Sequence, residues 1–475
     1  MIAFNQTKIV CTIGPATETK EMMRKLIMSG MDTMRLNFSH SNYQEHRARM
    51  DVLESLNEEM NTTVATLLDT KGPEIRTHLF KEGVATIKVG DQVKIYMDEI
   101  LGDETKFSVT YPNLYKDVEV GGVIVVDDGY LSLKVTDIDD KNKVITTVSY
   151  NTHTIKDRRG INIPGMLLNL DYISEKDHKD ILWGCKNKVD FIAASFVRRK
   201  EDVEAVRKIL DDNGGEDIQI IAKIENQEGV NNIDDIIDVA DGVMVARGDL
   251  GVEVPPEEVP VIQKDIIARC HERGKITITA TQMLESMQDH PKPTRAEVSD
   301  VANAILDGTD AIMLSGESAI GQYPVETVDM MHTIGKRLEK EIKRASLIKR
   351  ANKFAKKDIP TNIAMSVAHA VLQGQADLVI APTISGNTAR LLSKNRPNTR
   401  ILALVPNAQK ARSLMLNHGV FPVVFELGTD TEKLMKDSVI FAKENHFVEA
   451  GGRVIVTGGF PIGTTTNSLR ILDVK

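Results

Sequence analysis

The spacing of hydrophobic positions along this chain changes rhythm twice. Residues 7–14, 33–40 and 63–69 are short apolar runs that predict strands. Between them, residues 18–28 and 43–60 carry apolar positions at helical spacing, and the first of these stops at Gly30. This βαβαβ order predicts a parallel sheet. From Lys71-Gly-Pro-Glu74 to about Leu170 the pattern holds no good helix. Alternating segments at 85–89, 93–97, 123–126, 131–135 and 144–150 are broken by turn chemistry at Asp127-Asp-Gly129 and Asp139-Asp-Lys-Asn142, which predicts an all-β insert, a small barrel.

The βα rhythm then returns. Ser174-Glu-Lys-Asp177 opens a helix with the look of a capping box. Strands are predicted at 190–196, 219–224, 242–246, 275–281 and 310–314, with helices at 201–210, 232–239, 261–273 and 294–306 between them. Counted from the start this makes eight βα strands, the number at which a (β/α)8 TIM barrel closes, with the insert after strand 3. A helix is predicted over 324–344, and the basic stretch 349–357 reads as a linker. The remainder alternates helices with strands at 378–381, 401–405, 421–425, 453–457 and 468–473, including a helix over 409–417. The expected class is therefore α/β. Residues 1–71 and 171–345 form the barrel, 72–170 an inserted β-barrel lid, and 346–475 a C-terminal α/β domain.

The 475 residues suffice for roughly three domains. A net charge of -9 turns the molecule as a whole away from nucleic acid and anionic membranes, so a phosphorylated ligand must be held by local cations. Three cysteines, Cys11, Cys185 and Cys270, form no CxxC, which argues for a reducing compartment and against a zinc site or a disulfide framework. The N-terminus carries no apolar run of signal-peptide length and no stretch approaches a membrane span; the expected location is the cytoplasm.

In a (β/α)8 barrel the chemistry sits at the carboxyl ends of the strands. There the sequence places Arg35, Asn37, Ser39 and His40 (strand two), Asp69, Thr70 and Lys71 (three), Ser195 and Arg198 (four), and Lys223 and Glu225 (five). Arg247, Gly248 and Asp249 follow (six), then Thr281 and Gln282 (seven), and Ser315-Gly-Glu-Ser318 (eight). Lys223 and Glu225 are two apart on a strand and leave the same face. Arg247 and Asp249 stand in the same i, i+2 relation. Glu225 and Asp249 are hard oxygen donors suited to magnesium, which seldom takes an all-protein cage. Arg35, Lys223 and Arg247 suit a phosphorylated anion. No GxxxxGK[ST] or GxGxxG motif occurs. Ser315-Gly-Glu-Ser318 reads equally as a phosphate cradle or a plain helix cap, and Pro382-Thr-Ile-Ser-Gly-Asn-Thr388 equally as a cradle or a turn with an N-cap.

The segments Met34-Arg-Leu-Asn-Phe-Ser-His40, Leu68-Asp-Thr-Lys-Gly-Pro-Glu-Ile-Arg-Thr77, Lys223-Ile-Glu-Asn-Gln-Glu-Gly229 and Val245-Ala-Arg-Gly-Asp-Leu-Gly-Val-Glu253 resemble those of pyruvate kinases. So do Ala280-Thr-Gln-Met-Leu-Glu-Ser-Met287, Lys292-Pro-Thr-Arg-Ala-Glu297 and Ile312-Met-Leu-Ser-Gly-Glu317. The resemblance runs in order from Thr7 to the C-terminus. It implies a glycolytic enzyme that transfers a phosphoryl group from phosphoenolpyruvate to ADP and then protonates the enolate to pyruvate. It further implies that Glu225 and Asp249 hold Mg2+ (or Mn2+), and that Lys223 neutralises the phosphoryl group and the enolate oxygen. Arg35 would clamp phosphate, and Gly248 N–H would meet the substrate carboxylate. Thr281 would contact substrate near the path of the proton, with Ser195 in support. Asn37, Ser39, Asp69 and Thr70 would bind K+, and Glu74 goes in the family with potassium dependence. His40, Arg76 and Lys176 would contact nucleotide. Where many animal relatives carry a nucleotide-binding lysine, this chain has Ile320.

The same resemblance implies a homotetramer and an allosteric phosphorylated effector. Thr383, Ser385, Gly386, Asn387 and Thr388 would bind that effector with the loop 458–466, and Lys433 and Lys436 are candidate cations. It also implies a chain without an extension before the barrel. The competing readings are another phosphoenolpyruvate-handling barrel, such as an aldolase or synthase, and a catalytically silent scaffold. The first would lack the inserted lid and the C-terminal domain; the second would have no need of intact Lys223, Glu225, Asp249, Arg35 and Thr281.

Overall fold

The computed structural model describes residues 4–166, 169–353 and 356–475. Eight parallel strands close into a barrel: Lys8–Thr12, Thr33–Asn37, Ala65–Asp69, Phe191–Ala194, Gln219–Ile224, Gly242–Ala246, Ile276–Ala280 and Ala311–Leu314. The first strand pairs with both the second and the eighth, which completes the cylinder. Val10, Leu67, Phe191, Ile221, Met244, Ile278 and Met313 fill the interior. Met415 and Leu416, from the C-terminal domain, join that same cluster. Burial of a leucine side chain contributes roughly 1.5–3 kcal/mol, so this plug ties the two domains together.

The floor of the barrel repeats one device at each quarter turn. Asp32, Asp190, Asp241 and Asp310 each immediately precede an even-numbered strand. Each carboxylate accepts the backbone N–H near the start of the preceding odd strand, from Ile9 at 2.8 Å, Thr66 at 2.8 Å, Ile220 at 2.8 Å and Thr277 at 3.0 Å. Each also has a cation: Lys8, Arg412, Arg207 and Arg396 in turn.

After strand three the chain enters the insert, a seven-stranded sheet and a two-stranded ribbon around their own core. The two edges of the sheet are Ile75–Arg76 and Lys106–Ser108, and an antiparallel bridge between Thr77 and Val109 joins them, so the sheet curls shut. A four-residue helix, Leu114–Asp117, lies within the insert, where the sequence pattern gave no helix.

The C-terminal domain is a five-stranded sheet, parallel except for its last strand, with an apolar core on each face. The helix expected over 324–344 ends at Leu338, and a separate helix, Arg344–Ala351, occupies the start of the expected linker. Leu347, Ile348 and Ala351 are buried at helical spacing, and this outweighs the basic composition that reads as a linker. The helix also spans the expected domain boundary between 345 and 346. Residues 354 and 355 of that stretch lie outside the described residues. The helix expected over 409–417 is shortened to Ala408–Arg412. All three cysteines are free and buried. No described helix is long and apolar enough to cross a membrane.

Candidate active site

Strands two to five bring four buried charges to one point on the carboxyl-end rim. Lys223 and Glu225 leave strand five on the same side as their spacing predicts, with Lys223 Nζ 2.9 Å from Glu225 Oε1. The ammonium also donates to Asp69 Oδ1 at 3.0 Å and to Ser195 Oγ at 2.7 Å. The other oxygen of Asp69 accepts from Arg35 Nε at 2.7 Å. Asp69 is thus the hub that fixes both cations. Burial works against the charge on Lys223, but Asp69 and Glu225 outweigh it and hold the ammonium above its ordinary value. Burial also raises Asp69, yet Arg35 and Lys223 bring it net below the usual carboxylate range.

Glu225 is raised instead. Burial is the largest cause, Lys223 opposes it, and the neighbouring Asp249 adds to it. Its second oxygen accepts the N–H of Phe196, a residue held at φ +54. Asp249, close enough to disfavour the charge on Glu225, makes with it a carboxylate pair that fits a divalent cation, whose charge would relieve Glu225. Asn37, Ser39, Asp69 and Thr70 stand at the ends of strands two and three as an oxygen-rich set. Asn37 Oδ1 accepts Ser39 N–H, and the Thr70 hydroxyl accepts Ser195 N–H. These are oxygen donors without sulfur or imidazole, the donor type that hard cations take.

Arg247 departs from expectation. Strand six ends at Ala246 and Arg247–Glu253 is a helix, so Arg247 and Asp249 do not share a face. The guanidinium turns to strand seven, donating to Ala280 O at 3.2 Å, to Thr281 O at 2.6 Å and to Asp300 Oδ1 at 2.6 Å. It is therefore not presented to a phosphorylated anion. Thr281 and Gln282 lie in left-handed backbone at φ +68 and +52. For a β-branched residue such as Thr281 this costs on the order of 1–3 kcal/mol. Gly248 N–H donates to the Thr281 hydroxyl at 2.8 Å.

The Ser315-Gly-Glu-Ser318 turn is neither a cradle nor a side-chain cap. Glu317 accepts the N–H groups of Ser315 and Leu284, so its own carboxylate fills the turn. Among the nucleotide candidates, His40 is exposed and Lys176 donates to Phe38 O and Asp180. Arg76 is forked onto Glu74, which also faces Lys71 at 3.6 Å. Ile320 is 65% exposed.

One acidic group escapes the sequence reading. Asp128, read only as a turn residue, lines the cleft between insert and barrel with Glu74, Arg198 and Asp249. Burial raises its carboxyl, followed by the charges of Asp127 and Asp249. Asp127 and Asp128 both take left-handed backbone, at φ +57 and +53, as an Asp-Asp-Gly turn allows, but the turn chemistry in the sequence carries no sign of which way it faces. Asn162 of the insert also donates to Glu253 of the barrel at 2.9 Å across this cleft.

In the C-terminal domain, Thr383, Ser385, Asn387 and Thr388 border a cavity of about 850 Å³ together with residues 459 and 462–466, whereas Gly386, at φ +85, does not line it. The hydroxyls of Thr388 and Thr466 meet at 2.7 Å, which joins the two loops. Lys433 and Lys436 do not line this cavity. Its cations are Arg273, Lys275, Lys356, Arg390 and Lys394, drawn from the barrel, from the segment between the domains and from the helix after the loop.

A closed parallel barrel with cations and a carboxylate pair on its carboxyl-end rim, beneath an inserted β domain, suits a phosphoryl-transfer enzyme. Residues 4–328 match the family model described as pyruvate kinase, barrel domain, and residues 361–472 the one described as pyruvate kinase, alpha/beta domain. The chain is 49% identical to a pyruvate kinase of Staphylococcus saprophyticus over 98% of its own length and 80% of that protein. It is 47% identical to that of Bacillus licheniformis over 99% and 80%. A crystal structure of a pyruvate kinase from Cryptosporidium parvum superposes with a TM-score of 0.94 at 39% identity, covering 99% of this chain and 96% of that one. The chain belongs to the pyruvate kinase family. Its function is conversion of phosphoenolpyruvate to pyruvate with transfer of the phosphoryl group to ADP.

Proposed function

We propose that the rim performs this reaction with the following division of labour. Arg35, steadied by Asp69, holds the phosphoryl group. Lys223 stands where negative charge grows on the phosphoryl group in flight and on the enolate oxygen. Glu225 and Asp249 hold magnesium (or manganese), which supplies charge neutralisation between the substrate's carboxylate and phosphate. Gly248 N–H, now given to Thr281, turns to the substrate carboxylate, while the Thr281 hydroxyl contacts substrate near the proton path and Ser195 keeps Lys223 in place. Asn37, Ser39, Asp69 and Thr70 hold potassium. His40, Arg76 and Lys176 receive the nucleotide.

The observation that carries this reading is the Lys223 side chain wedged between Asp69 and Glu225 and paired with Ser195. Such an ammonium is preorganised and needs no reorganisation as charge develops. A coupled assay for pyruvate, run with and without magnesium and potassium, tests it; turnover independent of both ions would refute the ion assignments.

The wider reading assigns residues 1–71 and 171–345 to catalysis, 72–170 to a lid and 346–475 to regulation. A phosphorylated effector is bound by the loop Thr383, Ser385, Gly386, Asn387 and Thr388 beside this cavity, in a cytoplasmic homotetramer. Saturation curves unmoved by a panel of sugar phosphates and nucleoside monophosphates would exclude the effector; the sedimentation coefficient tests the tetramer.

A further inference from the structure

We propose that Arg247 is a positioning residue that holds Thr281 in its left-handed backbone and so presents the Thr281 hydroxyl to the reacting substrate. The proposal rests on the assignment of Thr281 to substrate contact. The chain leaves strand seven at Ala280, and the next two residues take positive φ without glycine. At such a turn the last carbonyls of the strand lose their ladder partners and need other donors. Arg247 provides them. Its Nε and Nη2 form a fork over two consecutive carbonyls, Ala280 O at 3.2 Å and Thr281 O at 2.6 Å.

The guanidinium is itself anchored. Its Nη1 donates to Asp300 Oδ1 at 2.6 Å, and to Gln263 Oε1 at 3.4 Å, from two different helices of the barrel's outer ring. The arginine side chain is 10% exposed, so these bonds are sheltered from competing water. The next residue completes the clamp, because Gly248 N–H donates to the Thr281 hydroxyl at 2.8 Å. Consecutive residues thus grip the backbone and the side chain of one threonine. When the substrate carboxylate draws Gly248 N–H away, the hydroxyl keeps its own bond to Ala280 O at 2.6 Å, the same carbonyl that the Arg247 fork holds. A lysine cannot span two carbonyls and a carboxylate at once, since its ammonium is a point charge without the planar fork.

The test is a double-mutant cycle read on kcat and on KM for phosphoenolpyruvate, with Mn2+ affinity measured in parallel. Thr281→Ala establishes how much the hydroxyl contributes. Arg247→Lys is expected to lower kcat about tenfold or more, to change KM less, and to leave Mn2+ affinity intact. On the Thr281→Ala background the same change is expected to add little, because both act through one hydroxyl. Asp300→Asn, at a partly exposed position, loosens the anchor without disturbing the fork and is expected to give a smaller loss of the same kind. If Arg247→Lys keeps near-wild-type kcat while Thr281→Ala is crippled, the proposal is overturned. Losses that multiply in the double variant overturn it too, since Arg247 then acts independently. A Thr281→Ala enzyme with normal turnover overturns the assignment of Thr281 itself. Should Arg247→Lys fail to fold, Asp300→Asn on both Thr281 backgrounds separates shared from independent action in the same way.

Discussion

The carboxylate of Asp69, on barrel strand three, lies 3.0 Å from the ammonium of Lys223, on strand five. Its other oxygen holds Arg35. One buried anion therefore sets the spacing between the two cations of the rim. Removing the lysine leaves Asp69 and Glu225 buried with less compensation, and breaking a buried pair by taking one partner is costly. Lys223→Met is expected to lower kcat by about a thousandfold or more while Mn2+ binding persists. The coupled assay reads the first and Mn2+ titration the second; near-normal turnover would remove Lys223 from the chemistry.

Asp69→Asn keeps the shape of the hub and removes its charge. Arg35 and Lys223 then lose their common anchor, and both drift by a fraction of an ångström. KM for phosphoenolpyruvate is expected to rise and kcat to fall, each by about tenfold or more, and the response to potassium to weaken. An Asp69→Asn enzyme with unaltered kinetics and potassium response would show that the hub is dispensable.

Glu74 pairs with Arg76 and faces Lys71, so a negative group stands near the rim where a lysine could supply a positive one. In buffers free of potassium, sodium and ammonium, with tetramethylammonium as the counterion, turnover is expected to fall at least about tenfold, a loss in barrier stabilisation of about 1.4 kcal/mol. Glu74→Lys is expected to make turnover less dependent on potassium. Full activity of the unmodified enzyme without monovalent cations would exclude the role.

Acid is expected to destabilise the fold through histidines. Burial pushes His46 down to about 4, and His271 and His418 well below the usual range. The unfolded chain protonates these rings near their ordinary value of about 6.5, whereas the folded chain resists. Below that pH the unfolded state therefore binds more protons, and stability falls as pH falls from about 6.5 towards the depressed native values. Thermal unfolding should show Tm declining across that window, and His46→Gln should make the decline shallower. A Tm that stays level from neutral pH to about 5 would contradict this.

Much of the barrel was legible because each strand is a short apolar run ended by polar residues, and helical spacing fills the gaps. The Lys223–Glu225 relation followed from the two-residue period of a strand. The same rule failed at Arg247 because nothing in Val-Ala-Arg-Gly-Asp marks the point where strand becomes helix, and a helix at i, i+2 turns the two side chains apart. The basic stretch 349–357 reads as a linker by composition, yet its first residues belong to a helix that buries Leu347, Ile348 and Ala351. The cations of the C-terminal cavity were invisible for another reason. Lys275, Lys356 and Lys394 are far apart in sequence, and only the docking of the C-terminal domain under the barrel gathers them.

That docking bears on the four aspartates of the barrel floor. Asp32 and Asp241 take their cations from the barrel itself, but Asp190 and Asp310, the more deeply buried pair, take theirs from Arg412 and Arg396 of the C-terminal domain. The barrel thus borrows half of its floor counterions from another domain. A barrel freed of residues beyond 345 would face solvent with two unneutralised buried carboxylates and an unplugged apolar interior. The two architectures are distinct by topology, yet two buried ion pairs and an apolar plug join the C-terminal domain to the base of the strands whose other ends form the rim.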